Sequence, residues 1–237
     1  HKEYIRNKWI SSVGYTNVIG HSMTTQTTDM EREFKTPLGV VRCGLICNLQ
    51  DNVIETKKYE NGSSEIFKTD GHKIEIVSFK IKVPLYNGDI LTDSFGWIFR
   101  IEKTSDINEK VETYCLLDKI NDEITFDTAT GEHLDAIQAD SNEWTLHVGT
   151  EDGEILNSRA ENDDWFPPRL KNKVDFYQSI TEMKQNGFVT KIPDLNKGEK
   201  IHIQYLTAYD KKDGEKVNTW LAVDEFKRKL ENWIGIW

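Results

Sequence analysis

Residues 111–118, Val-Glu-Thr-Tyr-Cys-Leu-Leu-Asp, match residues 217–224, Val-Asn-Thr-Trp-Leu-Ala-Val-Asp, almost position for position. An echo of this kind predicts two copies of one unit, which constrains the architecture before any element is assigned. It continues upstream, where Val83-Pro84-Leu85-Tyr86-Asn87-Gly88-Asp89 answers Ile192-Pro193-Asp194-Leu195-Asn196-Lys197-Gly198-Glu199. A weaker correspondence pairs Gly44 with Gly149 and Asp51–Ile54 with Asp152–Ile155, so the copies span roughly 34–118 and 144–224. The drift in offset from 101 to 106 residues is the size of small loop insertions. The organisation this predicts is a β-rich repeat over 1–120 that includes the N-terminal strands, an acidic linker over 121–143, and a second repeat over 144–237.

Turn chemistry and alternation give the class of fold. Asn61-Gly62, Asp70-Gly71 and Asn87-Gly88 each suit a two-residue hairpin loop, and Thr36-Pro37-Leu38-Gly39 reads as another tight turn. A loop at Asn61-Gly62 sets Glu55 opposite Lys68 and Lys58 opposite Glu65, so the cross-strand charges agree. Strands are predicted near 22–35, 39–50, 53–60, 64–69, 73–83, 90–101, 111–117, 123–127 and 144–149, with short helices at 131–140 and 173–186, the latter from the spacing of Phe176, Ile180 and Met183. Ile201–Tyr209 and Val217–Val223 flank Asp213-Gly214 and read as a hairpin placing Leu206 across from Leu221 and Thr207 across from Trp220. Asp224 would then cap a C-terminal amphipathic helix with Phe226, Leu230, Trp233 and Trp237 on one stripe. The expected fold is mainly β, a β-rich α+β chain: two tandem copies of an antiparallel sheet or sandwich unit with that helix at the end.

Charge becomes informative once located. Of the 40 acidic residues, 13 fall between Asn121 and Arg169, where the only bases are Arg159 and Arg169, and the rest of the chain is close to neutral. A focused negative field favours a basic protein partner and disfavours nucleic acid or an anionic membrane. No stretch approaches the length of apolar sequence that a membrane span needs. The odd set Cys43, Cys47 and Cys115 argues against a disulfide scaffold and for a reducing, cytoplasmic setting, with the cysteines acting as small core residues.

Catalytic signatures do not emerge. The six histidines form no local ligand pair, and there is no phosphate loop, nucleophile elbow or C-x-x-C motif, so no catalytic residue, metal site or cofactor is assigned. The shared Thr113/Asp118 and Thr219/Asp224 read as fasteners of the fold, because a residue and its fifth neighbour on a strand face opposite sides. The segment Asp163-Asp164-Trp165-Phe166-Pro167-Pro168-Arg169 has no counterpart in the first copy, and its prolines, aromatics and Arg suit a stiff recognition loop. The candidate partner-binding residues are therefore Glu151, Asp152, Glu154, Glu161, Asp163, Asp164, Trp165, Phe166 and Arg169. The function expected is a non-enzymatic acidic protein-binding module, in concrete form an immunity-type inhibitor that masks a basic toxin or nuclease. Two other classes compete with it: a hydrolase-like enzyme whose site is dispersed over a β scaffold, and a β protein that binds a small apolar ligand.

Overall fold

A computed structural model describes residues 28–47, 53–81, 91–131, 133–174, 179–212 and 218–236. In chain order these form β1 (Thr28–Thr36), β2 (Gly39–Cys47), β3 (Glu55–Tyr59), β4 (Gly62–Lys68), β5 (His72–Phe79), β6 (Asp93–Lys103), β7 (Glu112–Lys119), β8 (Thr125–Thr130), β9 (Leu134–Asp140) and β10 (Trp144–Glu151). There follow α1 (Gly153–Asn162), a 3-10 turn (Pro168–Leu170), β11 (Thr181–Lys184), β12 (Gly187–Lys191), β13 (Lys200–Lys211), α2 (Asn218–Val223) and α3 (Lys227–Ile234). The strands build two antiparallel sheets, β1-β2-β7-β12-β11 and β3-β4-β5-β6-β13-β10-β9-β8. The chain is thus mostly β with a short helical C-terminal region. The Asn87-Gly88 and Asp213-Gly214 turns, the Val83–Asp89 segment, Phe176 and Trp237 lie outside the described residues.

Alternation explains the layers. Along the eight-stranded sheet, Ile74, Ile76, Trp97, Phe99, Val148 and Tyr205 face the five-stranded sheet and pack with its Val41, Cys43, Leu45, Cys115 and Phe188. The opposite set, Val77, Ile98, Leu206 and Ala208, packs under Ala222, Val223, Leu230 and Ile234 of the C-terminal helices. Each fully buried side chain of this size contributes about 1.5–3 kcal/mol, so both faces of the larger sheet are held. One polar fastener crosses the first core: the Tyr205 hydroxyl donates to Thr190 Oγ1 at 2.6 Å and lies 2.9 Å from Thr113 Oγ1. All three cysteines are free and buried, with Cys43 directly across from Cys115.

Local turn chemistry decides two hairpins as expected. Thr36 pairs with Gly39 around Pro37-Leu38, and Thr69 N–H donates to His72 across Asp70-Gly71. Gly39 and Gly187 adopt φ values of 144° and 150°, and a Cβ there would stand 2.1 Å and 2.0 Å from carbonyl oxygens of β7. Only glycine can open β2 and β12 against that strand.

Several expectations are corrected. The tandem repeat is not confirmed: the first octet is strand β7, whereas residues 218–223 of the second form helix α2. Both sheets also draw strands from each side of the expected boundaries, since β7 pairs with β12 and β6 with β13. The acidic stretch 121–143 is the β8–β9 hairpin rather than a linker, and 134–140 is strand where a helix was expected. Leu206 pairs with Gly149 and Gly96, so it has no strand partner at Leu221. Of the helix expected over 173–186, Thr181–Lys184 is strand β11, and residues 175–178 lie outside the described residues. The β3–β4 loop is Glu60-Asn61, which shifts the register and puts Glu55 opposite Ile66. The cause is tertiary: Asn61 N–H and its side-chain amide donate to Ile234 O and Trp233 O, tying the loop to α3. Asp224 accepts the His133 N–H instead of capping a helix, and α3 starts after Phe226.

Candidate functional site

Three of the candidate residues, Glu151, Asp163 and Trp165, meet around one guanidinium. Asp152 begins α1 as its N-cap, its side chain accepting the Ile155 N–H at 2.7 Å, and Asp163 closes the helix by donating its N–H to Arg159 O. The helix so defined turns Arg159 towards the end of β10. Its Nη1 donates to Glu151 and, at 3.1 Å, to His202 O; its Nε donates to Asp163 at 2.7 Å, and Nη2 to Trp165 O at 3.2 Å. Burial raises the pKa of the Glu151 carboxyl above the ordinary value, against the pull of Arg159. Burial also opposes the Asp163 charge, but Arg159, the Trp165 N–H and Lys227 outweigh it and hold that carboxyl below its usual value. His202 beneath them is kept neutral by burial and by the nearby cations Arg159 and Lys227.

This node arranges the sequence-predicted residues into two groups. Glu151 and Phe166 are buried, the second fully, and offer no surface to a partner. Trp165 is half-buried, with Arg100 4.0 Å and Lys200 5.3 Å from its ring centre. Arg169 is exposed but forks onto Glu199, and Glu161 pairs with Lys171 at 2.5 Å. Glu154 and Asp164 remain on the surface, and Asp152 is partly exposed. Sequence reasoning missed α1 itself, although Asp152 followed by Leu156 and Ala160 one helical turn apart carries an N-cap and an apolar stripe.

Folding also redistributes the acidic block. Lys119, Lys212, Lys171 and Lys227, all from outside the block, pair with Asp122, Asp140, Glu161 and Asp163. A different situation holds where β9 begins. The Asp135 carboxyl is pushed above its ordinary value by burial and by the neighbouring charge of Asp152, and it has no cation partner among the described residues. Glu154 stands in the first turn of α1, two residues after Asp152.

Beside this margin lies a cleft of about 660 Å³ between α1 and α3, lined among others by His133, Glu151, Ile155, Phe226 and Arg228. Among the described residues no three His, Cys, Asp or Glu side chains converge as a metal site, and no helix is long and apolar enough to cross a membrane. No family model, curated protein or solved structure matches this chain.

Proposed function

We propose that the chain is a non-enzymatic protein-binding module for a basic partner, with an immunity-type inhibitor of a cationic toxin or nuclease as its concrete form. The observation that carries the reading is the uncompensated pair Asp135 and Asp152, continued by Glu154, at the margin of the eight-stranded sheet. Two carboxylates held together without a cation repel each other, and a Lys or Arg from a partner relieves that repulsion as it binds. The Arg159 node supports the same reading, because it fixes α1 and the following loop and so reduces the entropy lost on docking. Recognition by side chains fits better than addition of a strand to β8, since Asp127 already accepts the Thr128 N–H at 2.8 Å. Three free thiols suit a reducing, cytoplasmic setting.

The test is capture from native-host extract at graded salt with the wild-type chain and with Asp135→Asn/Glu154→Gln. A basic protein retained by the wild type, released by salt and lost with the double variant is expected, while the variant's stability stays the same or rises. Retention that the variant leaves intact, or no retained protein at all, sinks the reading.

A further inference from the structure

The cleft between α1 and α3 has chemistry that a basic protein surface does not use. Glu151 lines it and is 3% exposed, yet only one carboxylate oxygen is engaged: Oε2 accepts from Arg159, and Oε1 is buried with no hydrogen-bond partner. An unsatisfied buried acceptor carries the penalty of its lost hydration, and a donor brought by a ligand would remove it. At the other end of the cleft, α3 begins at Phe226 with no side-chain cap, which leaves the first-turn amides of Lys227 and Arg228 to outside acceptors.

The charges there point to an anion. The first turn of α3 holds no acid; Lys229 pairs with Glu225 just before it, and cations at a helix N-terminus favour an anion among them. Asp163 and Glu231 also line the cleft, but Lys227 neutralises both at 3.2 Å and 2.8 Å. Arg228 is exposed and makes no ion pair among the described residues. Between the two ends stands a flat apolar wall: Phe226 is 42% exposed, and the His133 ring meets it edge-on at 5.6 Å. The volume of about 660 Å³ falls within the span of small-molecule sites.

We propose that this cleft binds a nucleotide carrying an exocyclic amino group. The amine donates to Glu151 Oε1, the base lies against Phe226, and the phosphate rests at the α3 N-terminus beside Arg228. A neutral amine suits the inner end, because Arg159 and Lys227 would repel a cation. The site is separate from Asp135, so it stands or falls independently of the protein-partner reading.

Calorimetry on the full chain with amino and oxo pairs of nucleotides tests it: cytidine against uridine monophosphate, and adenosine against inosine monophosphate. At least one amino member is expected to bind with one-to-one stoichiometry, and its oxo counterpart about tenfold or more weakly, since an oxo group puts an acceptor against the carboxylate. The parent nucleoside without phosphate should also bind about tenfold more weakly, and Arg228→Ala, a surface change, should abolish that difference. No binding of either amino nucleotide at millimolar concentration, equal affinity within each pair, or binding indifferent to Arg228→Ala overturns the proposal.

Discussion

Replacing Arg159 by Met keeps much of its volume and removes its charge, so it isolates the electrostatic role of the node. Glu151 and Arg159 are both nearly inaccessible, with side chains 2% and 9% exposed, so solvent screens their interaction little. The change strands the Glu151 carboxylate in the interior and frees the carbonyls of His202 and Trp165 from their shared donor. Breaking a buried pair in this way costs about 3–5 kcal/mol, which for a chain of this size lowers Tm by about 6–20 °C. Urea and thermal unfolding followed by circular dichroism measure it.

The pH dependence has a definite sign. Glu151, with its folded pKa raised, contributes stability that is complete below the unfolded carboxylate value and lost as pH rises through the raised one. Asp163, with its folded pKa lowered, contributes stability above the unfolded value that is lost as pH falls through the lowered one. Without Arg159 the first burden grows and the second benefit shrinks, so both effects make the gap between wild type and variant narrow towards acid pH. Adding Glu151→Gln should recover part of the loss, with a coupling of about 1–3 kcal/mol. A single-variant cost below about 1 kcal/mol, or a double variant additive within about 0.5 kcal/mol, refutes the reasoning.

Two further outcomes follow from buried polar groups. Tyr205→Phe leaves the Thr113 hydroxyl without its partner between the sheets and should cost about 1–3 kcal/mol in urea unfolding; a neutral change would mean that the contact does not join the layers. His147 lies against Thr219 at 2.9 Å, and burial lowers its pKa to about 4. Its neutral form is the folded one, so its contribution is whole above the unfolded histidine value and lost as pH falls through about 4. Its imidazole resonance should therefore stay still between neutral pH and 5, and a midpoint near 6.5 would contradict the placement.

What was legible in the sequence was what short-range chemistry decides. Thr36-Pro37-Leu38-Gly39 and Asp70-Gly71 carry their turns in their own backbone preferences, and each of the nine strands expected through residue 149 overlaps a strand among the described residues. The octets were misleading because eight residues do not separate two periods. In β7 the pattern buries Thr113, Cys115 and Leu117 at every second position; in α2 it buries Thr219, Ala222 and Val223 at helical spacing. The same side-chain types satisfy both, and the partners decide: β2 and β12 on either side of one octet, a sheet face beneath the other. The Asn61-Gly62 register failed for the same kind of reason, since its determinant is a helix some 170 residues away.

The candidate site was half legible because charge along a chain is not charge in space. The block from 121 to 169 shows 13 acids against two bases, but Coulomb energy depends on distance, and four lysines from elsewhere fold against it. Glu151 and Asp163 looked like exposed recognition acids, yet they are the counter-charges that make a buried arginine tolerable. Asp135 and Asp152, which have no cation partner among the described residues, are 17 residues apart in sequence and joined because β9 pairs with β10. Neutralising Glu161 and Asp122, each already facing a lysine, changes net charge as much as neutralising Asp135 and Glu154. On this argument only the second pair of changes should loosen a basic partner, because Asp135 and Glu154 have no cation partner among the described residues, whereas Glu161 and Asp122 each have a lysine.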